Sequence, residues 1–129
     1  MKLVAIILAF IGSSAFASAD RYDLQMDLYL NGKHISSPNA NVKAGEITTI
    51  TQKIDTKEIS ISFLANLRSI QKIDLIWMPF SVRIYDLNGQ VLLAGDHQIY
   101  AKENEQMNFT VGNNGDEVSL SVTAKKESL

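Results

Sequence analysis

The chain has 129 residues, of which 46% are hydrophobic, and a formal net charge of −2 with no cysteine. Its basic residues are scattered, so the sequence offers no electrostatic case for a nucleic-acid partner or an anionic membrane surface. The lack of cysteine excludes disulfides, thiol catalysis and cysteine–zinc sites.

The first residues, MKLVAIILAFIGSSAFASAD, have the pattern of a secretory leader. Lys2 provides a positive charge, an apolar run follows, and Ala17-Ser18-Ala19 matches the small-residue cleavage pattern. The apolar run is shorter than the roughly 20 residues that span a bilayer, which disfavours the alternative of a membrane anchor. We expect a signal peptide over 1–19 of bacterial type with cleavage after Ala19. The mature protein would then be secreted or periplasmic, with no integral membrane association.

Apolar and polar residues alternate along most of the remaining chain, which predicts strands. The predicted strands cover residues 22–30, 47–54, 58–67, 90–95, 107–111 and 117–124, with a further apolar segment at 72–86. Turn residues separate them, including Asn31-Gly32 and the hairpin sequence Asn114-Gly115.

Seven to eight short strands and no predicted helix favour an all-β fold. We expect an antiparallel β-sandwich of immunoglobulin-like type, with a small β-barrel as the alternative. Residues 20–129 are expected to form a single domain, with a short flexible C-terminal tail at 125–129.

The segment KIDLIWMPFSVRIYD, Lys72 to Asp86, contains the only tryptophan and changes its apolar parity at Pro79. A regular strand keeps its parity, and proline cannot donate to a β-ladder, so two strands meeting at a corner are predicted. At such a corner an aromatic side chain beside a methionine suits a protein interface. The candidate partner-binding residues are therefore Ile76, Trp77, Met78 and Phe80. The alternative is that the corner folds back and is buried.

Residues that could support catalysis or bind a metal are sparse. His34 follows a turn, and His97 is adjacent to Asp96, from which it would point away in a strand. The turns at 86–89 and 113–117 carry oxygen ligands but lack the acidic spacing of a calcium loop. We predict no catalytic residue, no metal site and no cofactor.

The segment NGKHISSPNANVKAGEITTI, Asn31 to Ile50, resembles a strand–turn–strand phrase of β-rich bacterial envelope proteins, including a segment of the secretin family of outer-membrane pores. The likeness consists of turn residues and alternation. It implies a β-rich envelope protein and carries no functional residue over to this chain.

The leading hypothesis is a small exported, non-enzymatic module that binds another protein as an inhibitor, an assembly accessory or a secreted effector. An exposed strand edge is a second route to a partner. The alternative is a carbohydrate-binding module or a small extracellular hydrolase using Tyr29, Tyr85 and Tyr100 with neighbouring carboxylates. The sequence leaves the partner and the oligomeric state open.

Overall fold

The computed structural model describes the backbone of residues 5–10 and all atoms of residues 20–127. The predicted cleavage site at Ala19 and residues 128–129 of the predicted tail lie outside the described residues. The described part consists of strands and connecting turns, without a helix. The strands are β1 (Ala5–Phe10), β2 (Arg21–Leu30), β3 (Lys33–Ser36), β4 (Asn39–Lys43), β5 (Thr48–Ile54), β6 (Lys57–Phe63), β7 (Asn66–Ile70), β8 (Ile73–Tyr85), β9 (Val91–Ala101), β10 (Gln106–Gly112) and β11 (Glu117–Lys126).

Two antiparallel sheets contain these strands. The first has the order β1-β5-β6-β8, with β7 and β9 also paired to β8, and the second has the order β10-β11-β2, with β3 and β4 both paired to β2. Strands β6 and β7 lie end to end along one edge of β8, as β3 and β4 do along β2. The sheets do not close into a barrel, so the barrel alternative is wrong, whereas the prediction of an all-β antiparallel fold is confirmed. The immunoglobulin-like type stays a prediction.

The hydrophobic core lies between the two sheets and is built from alternate residues of each strand. In β2 and β11 the inward set is the one that alternation predicts, because a strand presents every second side chain to the same face. These inward residues are buried: Tyr22, Leu24, Met26, Leu28, Val118, Leu120, Val122 and Ala124. β5 and β6 contribute a matching set from the other sheet, including Ile50, Ile54, Ile59 and Ile61.

The 13-residue strand β8 runs without a corner through Pro79, so the predicted break is wrong. Its even-numbered residues from Ile76 to Ile84 are buried and its odd-numbered residues face outward. Proline is tolerated because the register places it opposite Leu64, in the gap between β6 and β7. Since no strand pairs with this edge of β8 at Pro79, the hydrogen bond that proline cannot donate is not needed there.

Residues 20–127 contain ten strands rather than the seven to eight predicted, because the short strands β3, β4 and β7 were not predicted as separate elements. β3 and β4 are polar, and Pro38 between them accepts a hydrogen bond from the Met26 amide through its carbonyl (2.9 Å). β11 in turn continues through Lys125 and Lys126, which pair with Asp23 and Tyr22 of β2. Two residues assigned to the tail therefore belong to the sheet.

The strands β9 and β10 bring the two sheets together at one side of the sandwich. The His97 ring stacks on Phe109 with centroids 4.8 Å apart, and Asn113 Nδ2 donates to the Leu92 carbonyl (2.8 Å). Between them, Gly95 faces Val111 so closely that a Cβ atom would lie 2.2 Å from Val111 Cγ1. Glycine is needed here for close approach of the two strands.

Substituting Gly95→Ala should destabilise the protein, because the β-branched Val111 cannot withdraw easily. Overpacking of this kind typically costs about 1–3 kcal/mol. Urea unfolding followed by Trp77 fluorescence measures the change. Gly95→Ala should cost much less unfolding free energy in the Val111→Ala background than in the wild-type protein. Additive destabilisation in the double variant would contradict the proposed close approach.

Candidate functional site

Apolar side chains form a strip on the outer face of the first sheet, where β7, β8 and β9 lie side by side. Register places Ile70 opposite Ile73, and Trp77 opposite Tyr100. Ile70, Ile73 and Tyr100 are 41%, 49% and 37% exposed, while Leu75 and Trp77 are half-buried. These five residues, Ile70, Ile73, Leu75, Trp77 and Tyr100, form the Trp77 surface.

The Trp77 ring is fixed by polar neighbours on the same face. The Arg68 guanidinium lies 4.0 Å from the ring centroid, which is a cation–π contact. Trp77 Nε1 donates to Gln98 Oε1 (3.0 Å), and the Tyr100 hydroxyl donates to the same oxygen (3.4 Å). The two aromatic side chains are therefore held in one arrangement, which lowers the entropy lost when a partner covers them.

The four residues predicted from the sequence separate into two groups. Ile76, Met78 and Phe80 are buried, at 4%, 0% and 2% exposure, and belong to the core. Trp77 alone of the four lies on the outer face. Sequence reasoning missed Ile70, Ile73 and Leu75, although apolar residues at both parities between 70 and 77 indicate a segment with two apolar faces.

The three tyrosines of the carbohydrate alternative do not share one surface. Tyr29 lies on the second sheet, where its ring contacts His34 edge-on at 5.2 Å. Tyr85 and Tyr100 lie on the first sheet, paired with Val91 and Trp77 respectively. Because Tyr85 lies eight residues beyond Trp77 along β8, these two tyrosines lie far apart on that face.

Asp27, His34 and Ser37 meet on the outer face of the second sheet. His34 Nε2 lies 3.3 Å from Asp27 Oδ1 and 3.1 Å from Ser37 Oγ, while Ser37 Oγ donates to Asp27 Oδ1 (2.6 Å). The hydrogen bond from Ser37, followed by that from His34, lowers the pKa of Asp27. Ser37 and Asp27 both contact the same imidazole nitrogen, Nε2, and the Ser37 hydroxyl donates its hydrogen bond to the Asp27 carboxylate. This differs from a nucleophilic relay, in which the two imidazole nitrogens are divided between base and orienting carboxylate.

A nearly buried carboxylate connects the two sheets at the end opposite the Trp77 surface. Asp116, 9% exposed, lies in the β10–β11 turn, and its Oδ1 accepts from Lys57 Nζ of the other sheet (2.7 Å) and from Asn31 Nδ2 (3.2 Å). Asn31 Oδ1 in turn accepts from the Glu117 amide (2.8 Å). The Lys57 ammonium is the main cause that lowers the pKa of Asp116, against the opposing effect of burial.

Comparisons of the chain with protein-family models, with curated proteins and with solved structures found no match. Among residues 5–10 and 20–127, no group of three acidic, histidine or cysteine side chains is placed to hold a metal ion. The same residues include no helix with the length and apolarity to span a membrane.

The single tryptophan reports directly on the Trp77 surface. We expect an emission maximum between those of buried and fully exposed indoles, because Trp77 is half-buried. Arg68→Ala should increase acrylamide quenching, since the guanidinium covers the ring. Arg83→Ala, on the same face but without a ring contact to Trp77, is the control. Unchanged quenching in the Arg68 variant would show that the guanidinium does not cover the indole.

Asp116→Asn should destabilise the protein by about 1–3 kcal/mol at neutral pH, because a nearly buried charge-assisted hydrogen bond is lost. The folded-state pKa of Asp116 is lowered, so its contribution is complete above the unfolded value of about 3.9 and disappears as the pH falls through the folded pKa. The gap between wild type and variant should therefore shrink below about pH 4.

Urea unfolding at pH 7 and at pH 3 tests this expectation. Asp96→Asn is the matched control, because the Asp96 side chain is 74% exposed in its 3.3 Å pair with Arg83. Exposed pairs contribute at most about 1 kcal/mol. Equal losses of unfolding free energy in Asp116→Asn and Asp96→Asn at pH 7 would contradict a larger contribution from Asp116.

Proposed function

We propose that this protein is an exported, non-enzymatic binding module whose partner is another protein, and that the partner docks on the Trp77 surface. Residues 1–19 act as a leader in this proposal, and the mature domain works in the periplasm or outside the cell. Its sandwich is of immunoglobulin-like type, which the two antiparallel sheets with a common core support. The observation that carries the proposal is the apolar strip on the outer face of β7, β8 and β9.

The position of the apolar strip favours a role in binding a partner rather than in packing within the fold. Strand β7 is exposed along its whole length. The strand β5 pairs with β6 only and does not extend alongside β7, because its first residue, Thr48, pairs with Phe63 at the end of β6. Leu67, on the opposite face of the same hairpin, is 46% exposed. The β7–β8 hairpin therefore presents apolar side chains on both faces, whereas isolated exposed apolar residues would need no explanation.

The charges around the strip indicate the chemistry of the partner. Arg68 covers Trp77, and Lys72 is exposed at the hairpin turn. Both Gln71 and Lys72 have positive φ angles, so the turn is a tight two-residue connection that holds the hairpin in one register. A partner with an apolar centre and acidic groups at its rim would complement this surface.

Carbohydrate binding is the less supported function. Trp77 and Tyr100 lie side by side with the Gln98 amide between them, which resembles a sugar-stacking platform. However, the Arg68 guanidinium occupies a face of the Trp77 ring that a sugar would need. Partner docking requires no such displacement, since arginine and tryptophan are both common in protein interfaces.

A photo-crosslinking amino acid at position 75, introduced into the exported protein in its native cells, should trap the partner in a covalent adduct of defined mass. The same amino acid at Thr49, on the outer face of β5, is the positional control. With the partner identified, Ile73→Asp should weaken binding at least ten-fold, about 1.4 kcal/mol, because a carboxylate would lose its hydration within the interface.

Leu87→Asp is the matched control, since Leu87 is 77% exposed in a turn at the far end of β8. It should leave the affinity unchanged. Equal adducts at positions 75 and 49, or an affinity that Ile73→Asp leaves intact, would refute docking on the Trp77 surface. Stabilisation by oligosaccharides that Trp77→Ala abolishes would instead support the carbohydrate alternative.

A further inference from the structure

The edge of the first sheet at β5 is covered by a strand from the predicted leader. Residues Ala5–Phe10 pair with Thr48–Lys53 in antiparallel register, from Ala5 opposite Lys53 to Phe10 opposite Thr48. On its other side β5 pairs with β6 over its full length. The backbone groups of β5 that face away from β6 therefore find their partners in β1.

The same six residues fall in the apolar part of the proposed signal peptide, so cleavage after Ala19 would remove β1. The edge of β5 would then present a row of unpaired backbone N–H and C=O groups. Such an edge is a template for another strand, because main-chain hydrogen bonds supply affinity and alternate side-chain pockets supply specificity.

The inward side chains of β5 show what an incoming strand would meet. Ile50 and Ile54 are buried apolar positions, at 1% and 6% exposure. Gln52, 1% exposed, accepts from Ser36 Oγ of the second sheet through its Oε1 (2.5 Å), but its Nε2 has no hydrogen-bond partner among the described residues. Buried amide donors are normally satisfied, so this one indicates a place for a side-chain acceptor, which none of the apolar residue types in Ala5–Phe10 carries.

We infer that the β5 edge is a strand-acceptor site, which residues 5–10 occupy in the unprocessed chain and an extended apolar segment of another protein occupies after cleavage. The incoming strand runs antiparallel to β5, with an apolar side chain opposite Ile50 and a hydrogen-bond acceptor opposite Gln52. The site lies on the opposite side of the first sheet from the Trp77 surface, with β6 between β5 and β8. It goes beyond docking on that surface but depends on the proposed removal of residues 1–19.

The test begins with the exported product of the full chain, whose N-terminus is determined by intact mass. The probe is a fluorescent peptide with the sequence of residues 5–10 between lysine pairs, and binding is followed by anisotropy. The product starting at Asp20 should bind at least ten-fold more tightly than a full chain that retains residues 1–19. A product that retains residues 5–10, or equal binding to both chains, would overturn the inference.

Two N-methylated peptides test whether the backbone makes the contact. One carries N-methyl groups on the odd-numbered residues and the other on the even-numbered residues. Strand pairing predicts that one set abolishes binding and the other leaves it nearly unchanged, because alternate amides of an edge partner face the sheet and the solvent. Loss with both sets, or with neither, would contradict strand addition.

The side-chain assignment is tested by the peptide variant Ile6→Thr, whose hydroxyl oxygen can accept from Gln52 Nε2. It should bind several-fold more tightly to the wild-type protein, and Gln52→Leu should remove that advantage. Weaker binding of the threonine peptide would overturn the role of Gln52.

Further outcomes separate this inference from the Trp77 proposal and from self-association. Trp77→Ala should leave peptide binding unchanged, so the β5 edge and the Trp77 surface can be tested independently. A product starting at Asp20 that folds cooperatively only with the peptide supports the inference, while one that stays unfolded with it overturns the inference. A dimer through β5 that the peptide cannot dissociate would identify a second copy as the occupant and refute a separate partner.

Discussion

Strand β8 imposes the constraint on which the rest of the first sheet depends. Each of its residues has a partner on at least one edge, where β6 and β7 lie on one side and β9 lies on the other. Because side chains alternate between faces, its register fixes at once which residues enter the core and which form the outer surface. A slip of one residue would turn Arg83 into the core and expose Phe80, so a single register is strongly selected.

This constraint explains which sequence predictions succeeded. Strands such as β2 and β11 have one apolar face, and period two therefore identifies both the element and its buried side. In β8, Leu75 and Trp77 are apolar on the outward face, so hydrophobicity alone suggested a parity change that the chain does not have. The gap opposite Pro79 arises from the Leu64-Ala65 interruption between β6 and β7, a non-local feature that the sequence around the proline cannot reveal.

The register of β8 also explains why only part of the candidate site was predictable from the sequence. Trp77 was recognised because a single tryptophan in an apolar segment is conspicuous, but its three proposed neighbours proved to be core residues. The side chains that do adjoin it, Leu75 and Tyr100, are brought there by register, the latter from a strand that follows a turn and a bulge. Polar strands such as β3 and β4 are likewise defined by their pairing with β2 rather than by composition.

The edges of the two sheets are protected by different means in the described residues. β9 and β10 cover each other through the His97–Phe109 stack, Pro38 interrupts the β3–β4 edge, and β7 is short, with its Leu67 amide bonded to the Asn66 side chain. The β5 edge is different, because its protection is a separate strand, β1. If residues 1–19 are removed as proposed, this edge is protected before processing and open afterwards. In a chain without disulfides, folding and the timing of partner binding would then both depend on the same antiparallel ladder.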